Sequence, residues 1–267
     1  MSSDHLAHAV AQTLAAERLE GWEPTDEHVA ALNAVAHRHV SMAEYLATFR
    51  SRHPPPVHRR RRPGLRRPTP YVIPGSTVLR NNFGVESAEC LADLEFVATA
   101  GRMVQWLSRP PEEDEPSPLD VRVLHRQLFC DVYAWAGAYR TTELRRGDQG
   151  FGWVSMIDSG AAAIHQRACA VAAAGSEYDD ERLVYELARL YADYNQIHPF
   201  REGNGRTGAL LLHGVAARCG RRLDLSGVKR ARWYAAARDS MPFRRDGRAS
   251  HRPFLYALAG TLSSEDR

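Results

Sequence analysis

The sequence predicts a mainly α protein: a helical core with one small β-hairpin, preceded by a smaller helical block. Three observations carry this reading. Apolar residues recur at three- and four-residue spacing through most of the chain. One stretch, "YRTTELRRGDQGFGWVSM", breaks that rhythm with β-branched and aromatic residues about a glycine-bearing turn. A run rich in arginine and proline then sets the first fifty residues apart from the rest. At 267 residues and 44% hydrophobic, the chain can bury one substantial core, with room for a small second domain.

In the first block, residues 1–50, "HLAHAVAQTLAAERLEG" places Leu6, Val10, Thr13 and Leu14 on one helical face, and Gly21 supplies the stop. "TDEHVAALNAVAHRH" opens on Thr25 as N-cap, with Asp26 and Glu27 in its first turn. "SMAEYLATF" sets Ser41 and Glu44 at capping-box spacing. Three short helices make a poor independent core, so the block should pack on something. Residues 51–70 follow as a linker: the stretch 50–68 holds eight arginines and no acid, and proline with like charges gives an extended tether. The run could add salt-sensitive affinity for nucleic acid. It lacks the aromatic or glycine pattern of a nucleic-acid surface, so the linker reading is preferred.

Beyond an arm at 71–116, "SPLDVRVLHRQLF" reads as a helix capped by Ser117 with Pro118 at its first position. "DDERLVYELARLYADYNQI" repeats apolar residues at helical spacing and runs straight into His198. "TGALLLHGVAARCG" is apolar nearly all round and reads as a central buried helix ending at Gly220. Arg146, Gly147 and Asp148 make the hairpin turn. No apolar stretch approaches the ~20 residues of a membrane span, and the N-terminus does not read as a signal peptide. Cys90, Cys130, Cys169 and Cys219 form no close pair and read as buried thiols of a reducing, cytoplasmic setting.

The chemistry concentrates in "HPFREGNGR", residues 198–206, between two of these helices. A helix N-terminus offers unpaired N–H groups and partial positive charge, which suit phosphate. Gly203 and Gly205 permit positive φ and remove side chains, so an anion can reach those donors. Asn204 adds an amide donor and Arg206 a charged fork for phosphate oxygens. Glu202 can hold Mg²⁺, which is bound by one or two carboxylates plus substrate phosphates. His198 alone has a pKa near neutrality and is the natural general base. Singly these are ordinary features: a helix cap, a turn, an i,i+4 ion pair. Together they read as a nucleotide–Mg²⁺ cradle with a base beside it. No GxxxxGK[ST] occurs, so it is not a P-loop.

"HPFREGNGR" resembles the Fic motif, HxFx[DE]GNGRxxR, at its first seven defined positions. "HRQLFCDVYAWAGAYRTTELRRGDQGF" is similar to the family's segment leading into a flap hairpin, and "IPGSTVLRNNFGV" to the arm before many Fic domains. The resemblance spans roughly 71 to 262, with the Fic (Fido) domain itself at 117–262. It implies a helical core with a hairpin flap, and transfer of AMP from ATP to a Tyr, Ser or Thr hydroxyl of a target protein. His198 would deprotonate that hydroxyl and Glu202 would hold Mg²⁺ between the α- and β-phosphates. Gly203, Asn204 and Gly205 would form the anion hole, with Arg206 on the phosphates. Arg146 and Gly147 of the flap would also bind the nucleotide, and the flap around Arg146, Gly147 and Phe151 would dock the target backbone by strand addition.

Two departures qualify the match. The motif's last arginine is Ala209 here, and in the family that side chain steadies the γ-phosphate. Residues 1–50 resemble a VbhA-type antitoxin, a small partner that silences Fic enzymes. Within "AERLEG", Glu20 and Gly21 match the inhibitory pattern [ST]xxxE[GN], while Ala16 replaces its Ser or Thr. The family's inhibitory glutamate pairs with the arginine that Ala209 replaces, so Glu20 is expected to turn to Arg206 instead. The neighbouring register ending at Glu17 fails because Arg18 follows. Two other functions stay open: another nucleotidyl or phosphoryl transfer on this scaffold, as in Doc-like kinases, and a non-catalytic Fic binding module. Doc-like loops carry lysine where Gly205 stands.

Overall fold

The computed structural model describes residues 3–54, 70–109 and 118–264. Most of the expected linker, and the expected cap Ser117, lie outside them. The first block is three helices: α1 (Ser3–Glu20), α2 (Asp26–Ala36) and α3 (Met42–Arg50). Thr25 caps α2 and Ser41 caps α3, the latter in a reciprocal box with Glu44. The block has no core of its own. Its apolar side chains join one continuous cluster with those of α4 (Ala88–Leu107), and α1 also packs on α8 (Asn204–Arg218) and α9 (Arg230–Asp239). At Gly101 of α4 a Cβ would lie 2.7 Å from the Tyr45 ring and 2.8 Å from Met42, so the missing side chain lets α3 seat.

Because α1 is wedged between three neighbours, it is buried well beyond the single expected face: Gln12, Ala16 and Glu17 are as inaccessible as Val10. Gln12 satisfies itself across the interface, donating to Asp224 and accepting from the Leu225 N–H.

The remaining helices are α5 (Val121–Phe129), α6 (Ile157–Ala174), α7 (Asp180–Ile197) and α10 (Arg252–Leu258). Helix α5 starts later than the sequence suggests. Asp120 is its N-cap, accepting from the Arg122 N–H at 2.7 Å, and Pro118 lies outside the helix. A carboxylate at that position is the stronger cap acceptor, and Leu119, just before it, is drawn into the core. Helices α7 and α8 pack together and place the loop between them at the edge of the core. The flap hairpin pairs β1 (Arg145–Arg146) with β2 (Gln149–Gly150) antiparallel about Gly147 and Asp148, with Gly147 at φ +58°.

A second two-stranded sheet, β3 (Arg221–Leu223) with β4 (Leu262–Ser264), was not anticipated. Its strands are three residues long and rich in Arg and Ser, too short and polar to show alternation. Among the described residues no helix is long and apolar enough to cross a membrane. The four cysteines are free, but only Cys219 is buried; Cys130 is exposed because it follows the last turn of α5 at the surface.

Candidate active site

Helix α7 ends on His198, which takes a left-handed backbone, φ 48°. A non-glycine residue there is strained and persists only where its surroundings hold it. Arg140 does the holding. Its side chain is fully buried, donating from Nε to the His198 carbonyl at 2.8 Å and from its other nitrogens to the carbonyls of Thr142, Gly152 and Ile197. Arg140 also accounts for the packing of the flap base onto α7, since Gly152 belongs to the segment leaving β2. The sequence reading missed it; "AGAYR" showed a cation, not that four carbonyls converge on it.

The loop after His198 is clipped from within. Asn204 accepts from the Phe200 N–H and donates to the Phe200 carbonyl, both at 2.9 Å. Its amide thus clips the loop with one of its two N–H groups, and Asn204 also lines the cavity described below. His125, also missed, accepts from the Gly137 N–H at 2.8 Å, which puts its proton on Nε2 to donate to the Glu202 carbonyl at 3.1 Å. Burial pushes its pKa down to about 3, so it stays neutral. Gly203 has φ +78°, and a Cβ there would lie 2.1 Å from the Phe129 ring. Gly205 needs no positive φ; it sits inside the first turn of α8, and its reason for being glycine is space.

That space is filled by Glu20. A Cβ on Gly205 would fall 1.9 Å from Glu20 Oε1, so the carboxylate at the end of α1 lies directly against the α8 N-terminus. There the unpaired N–H groups favour an anion. Glu20 shares a cavity of roughly 290 Å³ with Arg146, Phe151, His198, Glu202 and Gly205. Tyr191, Tyr194 and Trp233 give the cavity an aromatic wall. Burial raises the Glu20 pKa, opposed by the charges of Arg206, Arg146 and Arg230.

His198 lines this cavity, and its Nδ1 is buried without a hydrogen-bond partner. Its pKa lies well below the ordinary 6.5, driven by burial and then by the cations Arg146 and Arg140. The imidazole is neutral at pH 7, as a base must be. Phe151 stacks on it with ring centroids 3.7 Å apart. This corrects the docking role expected of Phe151: its ring is buried against His198, its N–H is bonded to Leu144, and its carbonyl accepts from Arg245. Arg145 and Arg146 of β1 remain the exposed hairpin edge, with Gly147 at the open turn.

Arg206 is also placed differently from expectation. It is 2% exposed, does not line the cavity, and lies between Phe96 and Phe129 at 5.1 and 4.8 Å. Its ion-pair partner is Glu95 of α4, with a hydrogen bond to Thr99 at 3.1 Å and Glu17 of α1 at 3.8 Å. Three acidic side chains, counting Glu202 at 3.7 Å, surround this guanidinium in the core, with Glu95 its close partner. Glu17, rather than Glu20, is thus the α1 carboxylate beside Arg206. Glu202 keeps a half-exposed side chain in the cavity and accepts from the Gly203 N–H at 3.0 Å. Among the described residues no cluster of three His, Cys, Asp or Glu could hold a metal by itself. Glu202 fits only the mode in which one carboxylate is completed by phosphate oxygens.

The Fic/DOC family model matches residues 115–216. A relative from Salmonella typhimurium named "Probable protein adenylyltransferase Fic" is 30% identical over 171 residues, covering 62% of this chain and 82% of the relative. Another from Sinorhizobium fredii, "Probable protein adenylyltransferase y4lH", is 31% identical over 170 residues, covering 62% and 85%. A solved BepC protein from Bartonella tribocorum, with bound AMPPNP, aligns at TM-score 0.61 and 18% identity over 73% of this chain and 97% of that one, a likeness of fold alone. On the sequence relatives, the fold and the loop that joins α7 to α8, the chain belongs to the Fic/DOC family.

Proposed function

We propose that this protein is an adenylyltransferase that moves AMP from ATP to a hydroxyl side chain of a target protein, and that residues 1–50 restrain it as a built-in antitoxin-like domain. The observation that carries the reading is one cavity holding the His198 imidazole, the N-terminus of α8 and the Glu202 side chain. His198 Nε2 takes the proton as the target's Tyr, Ser or Thr oxygen bonds to the α-phosphorus. The bond from that phosphorus to the bridging oxygen breaks, and pyrophosphate leaves. The N–H groups at the start of α8 stabilise charge on the phosphate oxygens. Mg²⁺, held by Glu202 with the nucleotide's own oxygens, would neutralise phosphate charge. Phe151 and Arg140 keep the imidazole in place. The exposed hairpin edge about Arg146 and Gly147 accepts the target's backbone.

The restraint comes mainly from the seating of α1 beside the cavity, and Glu20, whose carboxylate lies where a phosphate would meet the α8 amides, adds to it. We read the working protein as cytoplasmic, where ATP and protein targets are at hand. Incubation with α-labelled or γ-labelled ATP, Mg²⁺ and cell lysate tests the reaction. Transfer of the α label supports it; transfer of the γ label makes the enzyme a kinase. Transfer of neither, after α1 is removed, leaves a binding module, the reading that Ala209 favours.

A further inference from the structure

A nucleoside triphosphate brings several negative charges, and the cavity must answer them. Arg206 is unavailable, being committed to Glu95, Glu17 and Thr99 in the core. Ala209, one turn on, is buried and has no charge to offer. The Glu20 carboxylate marks where an anion sits against α8, and after Arg206 the cations acting on it are Arg146 and Arg230. Both guanidinia converge on one ring: Arg230 is 4.8 Å and Arg146 5.9 Å from the centre of Tyr234, which lines the cavity. Neither has a carboxylate within ion-pair distance among the described residues. Arg230 instead lies against the end of α1, where a Cβ on Gly21 would come 2.8 Å from its Nη2. It stands in the first turn of α9, where a helix N-terminus disfavours a cation that lacks an anionic partner.

We propose that Arg230, paired with Arg146 across Tyr234, is the specificity-determining cation for the outer end of the nucleotide's phosphate chain. The inference rests on the adenylyltransferase reading above. Two guanidinia on one ring repel each other, and Glu20 offsets that repulsion only while α1 is seated. When Glu20 is gone, the anion that fits is the polyphosphate, with its α-phosphate near His198. Arg230 borders the Glu20 end of the cavity without lining it, so it meets the phosphates farthest from the adenosine. Its placement on α9, outside the loop motif, supplies the charge that position 209 does not.

The test uses the full chain carrying Glu20→Gly, with and without Arg230→Ala, titrated calorimetrically with ATP, ADP and AMP in Mg²⁺. Arg230 is exposed, so the substitution should leave the melting temperature unchanged. Loss of Arg230 should weaken ATP about tenfold and AMP less than about twofold, as expected for a charged contact confined to the outer phosphates. Equal losses for all three nucleotides, or none, overturn the assignment to Arg230 while leaving the site intact. If neither the Glu20→Gly chain nor a chain without residues 1–50 binds an adenine nucleotide, the adenylyltransferase reading falls and this inference with it.

Discussion

Replacing Glu17 by Gln should cost this protein little at neutral pH and should flatten the pH dependence of its stability. Glu17 is completely buried, and burial raises its pKa from the ordinary 4.5 to about 8 against the attraction of Arg206. The attraction is weak because Glu95 already occupies the guanidinium, leaving Glu17 Oε2 without a hydrogen bond. The folded protein therefore holds this proton across a range in which the unfolded chain has released it. Its contribution to stability is complete below pH 4.5 and is lost progressively as pH rises to about 8. At about 1.4 kcal/mol per pH unit, the ceiling is about 5 kcal/mol. An amide reproduces the neutral acid, donating to the Thr99 oxygen and turning its carbonyl toward Arg206. Thermal melts by circular dichroism from about pH 5 to about pH 8 check this, at about 2–4 °C per kcal/mol. Roughly 3.5 kcal/mol of that ceiling falls between about pH 5 and about pH 8, so the wild type should fall relative to Glu17→Gln by roughly 7–14 °C across the window. A Gln variant that melts below the wild type by a constant offset would mean that Glu17 is ionised and paired with Arg206.

Three further outcomes follow from the site. His198→Ala should reduce α-label transfer by about 10²–10⁴-fold with an unchanged melt; normal transfer removes His198 from the reaction. Deleting residues 1–50 should raise self-modification or lysate labelling clearly, and Glu20→Gly should raise it less, because Gly21, Glu17 and the apolar face of α1 still hold the helix over the cavity. Equal activation would make the carboxylate the whole switch. Gly205→Ala should displace Glu20 in the intact chain but stabilise the Glu20→Gly chain by about 0.5–1 kcal/mol, as alanine does for glycine inside a helix. A double-mutant cycle on melting data with coupling under about 0.3–0.5 kcal/mol would separate the two positions.

The helical class, the hairpin and the crowding of polar and charged groups into residues 198–206 were readable from the sequence because each is a local matter. A period of 3.6, a glycine turn and a run of apt side chains all act between near neighbours. Capping at Thr25 and Ser41 was readable for the same reason: donor and acceptor are three residues apart. What each site residue faces was not local. Asn204 is drawn back to Phe200, and Arg206 is captured by Glu95 more than a hundred residues earlier. Phe151 is laid on His198 from the far side of the flap. Nothing local marked Arg140 and His125, because the carbonyls and the N–H that hold them come from residues the fold turns toward them. The choice between Glu17 and Glu20 as the partner of Arg206 likewise depended on the seating of α1 between α4, α8 and α9. Composition can set how many charges a chain carries; only packing decides which of them are left without water and must find each other.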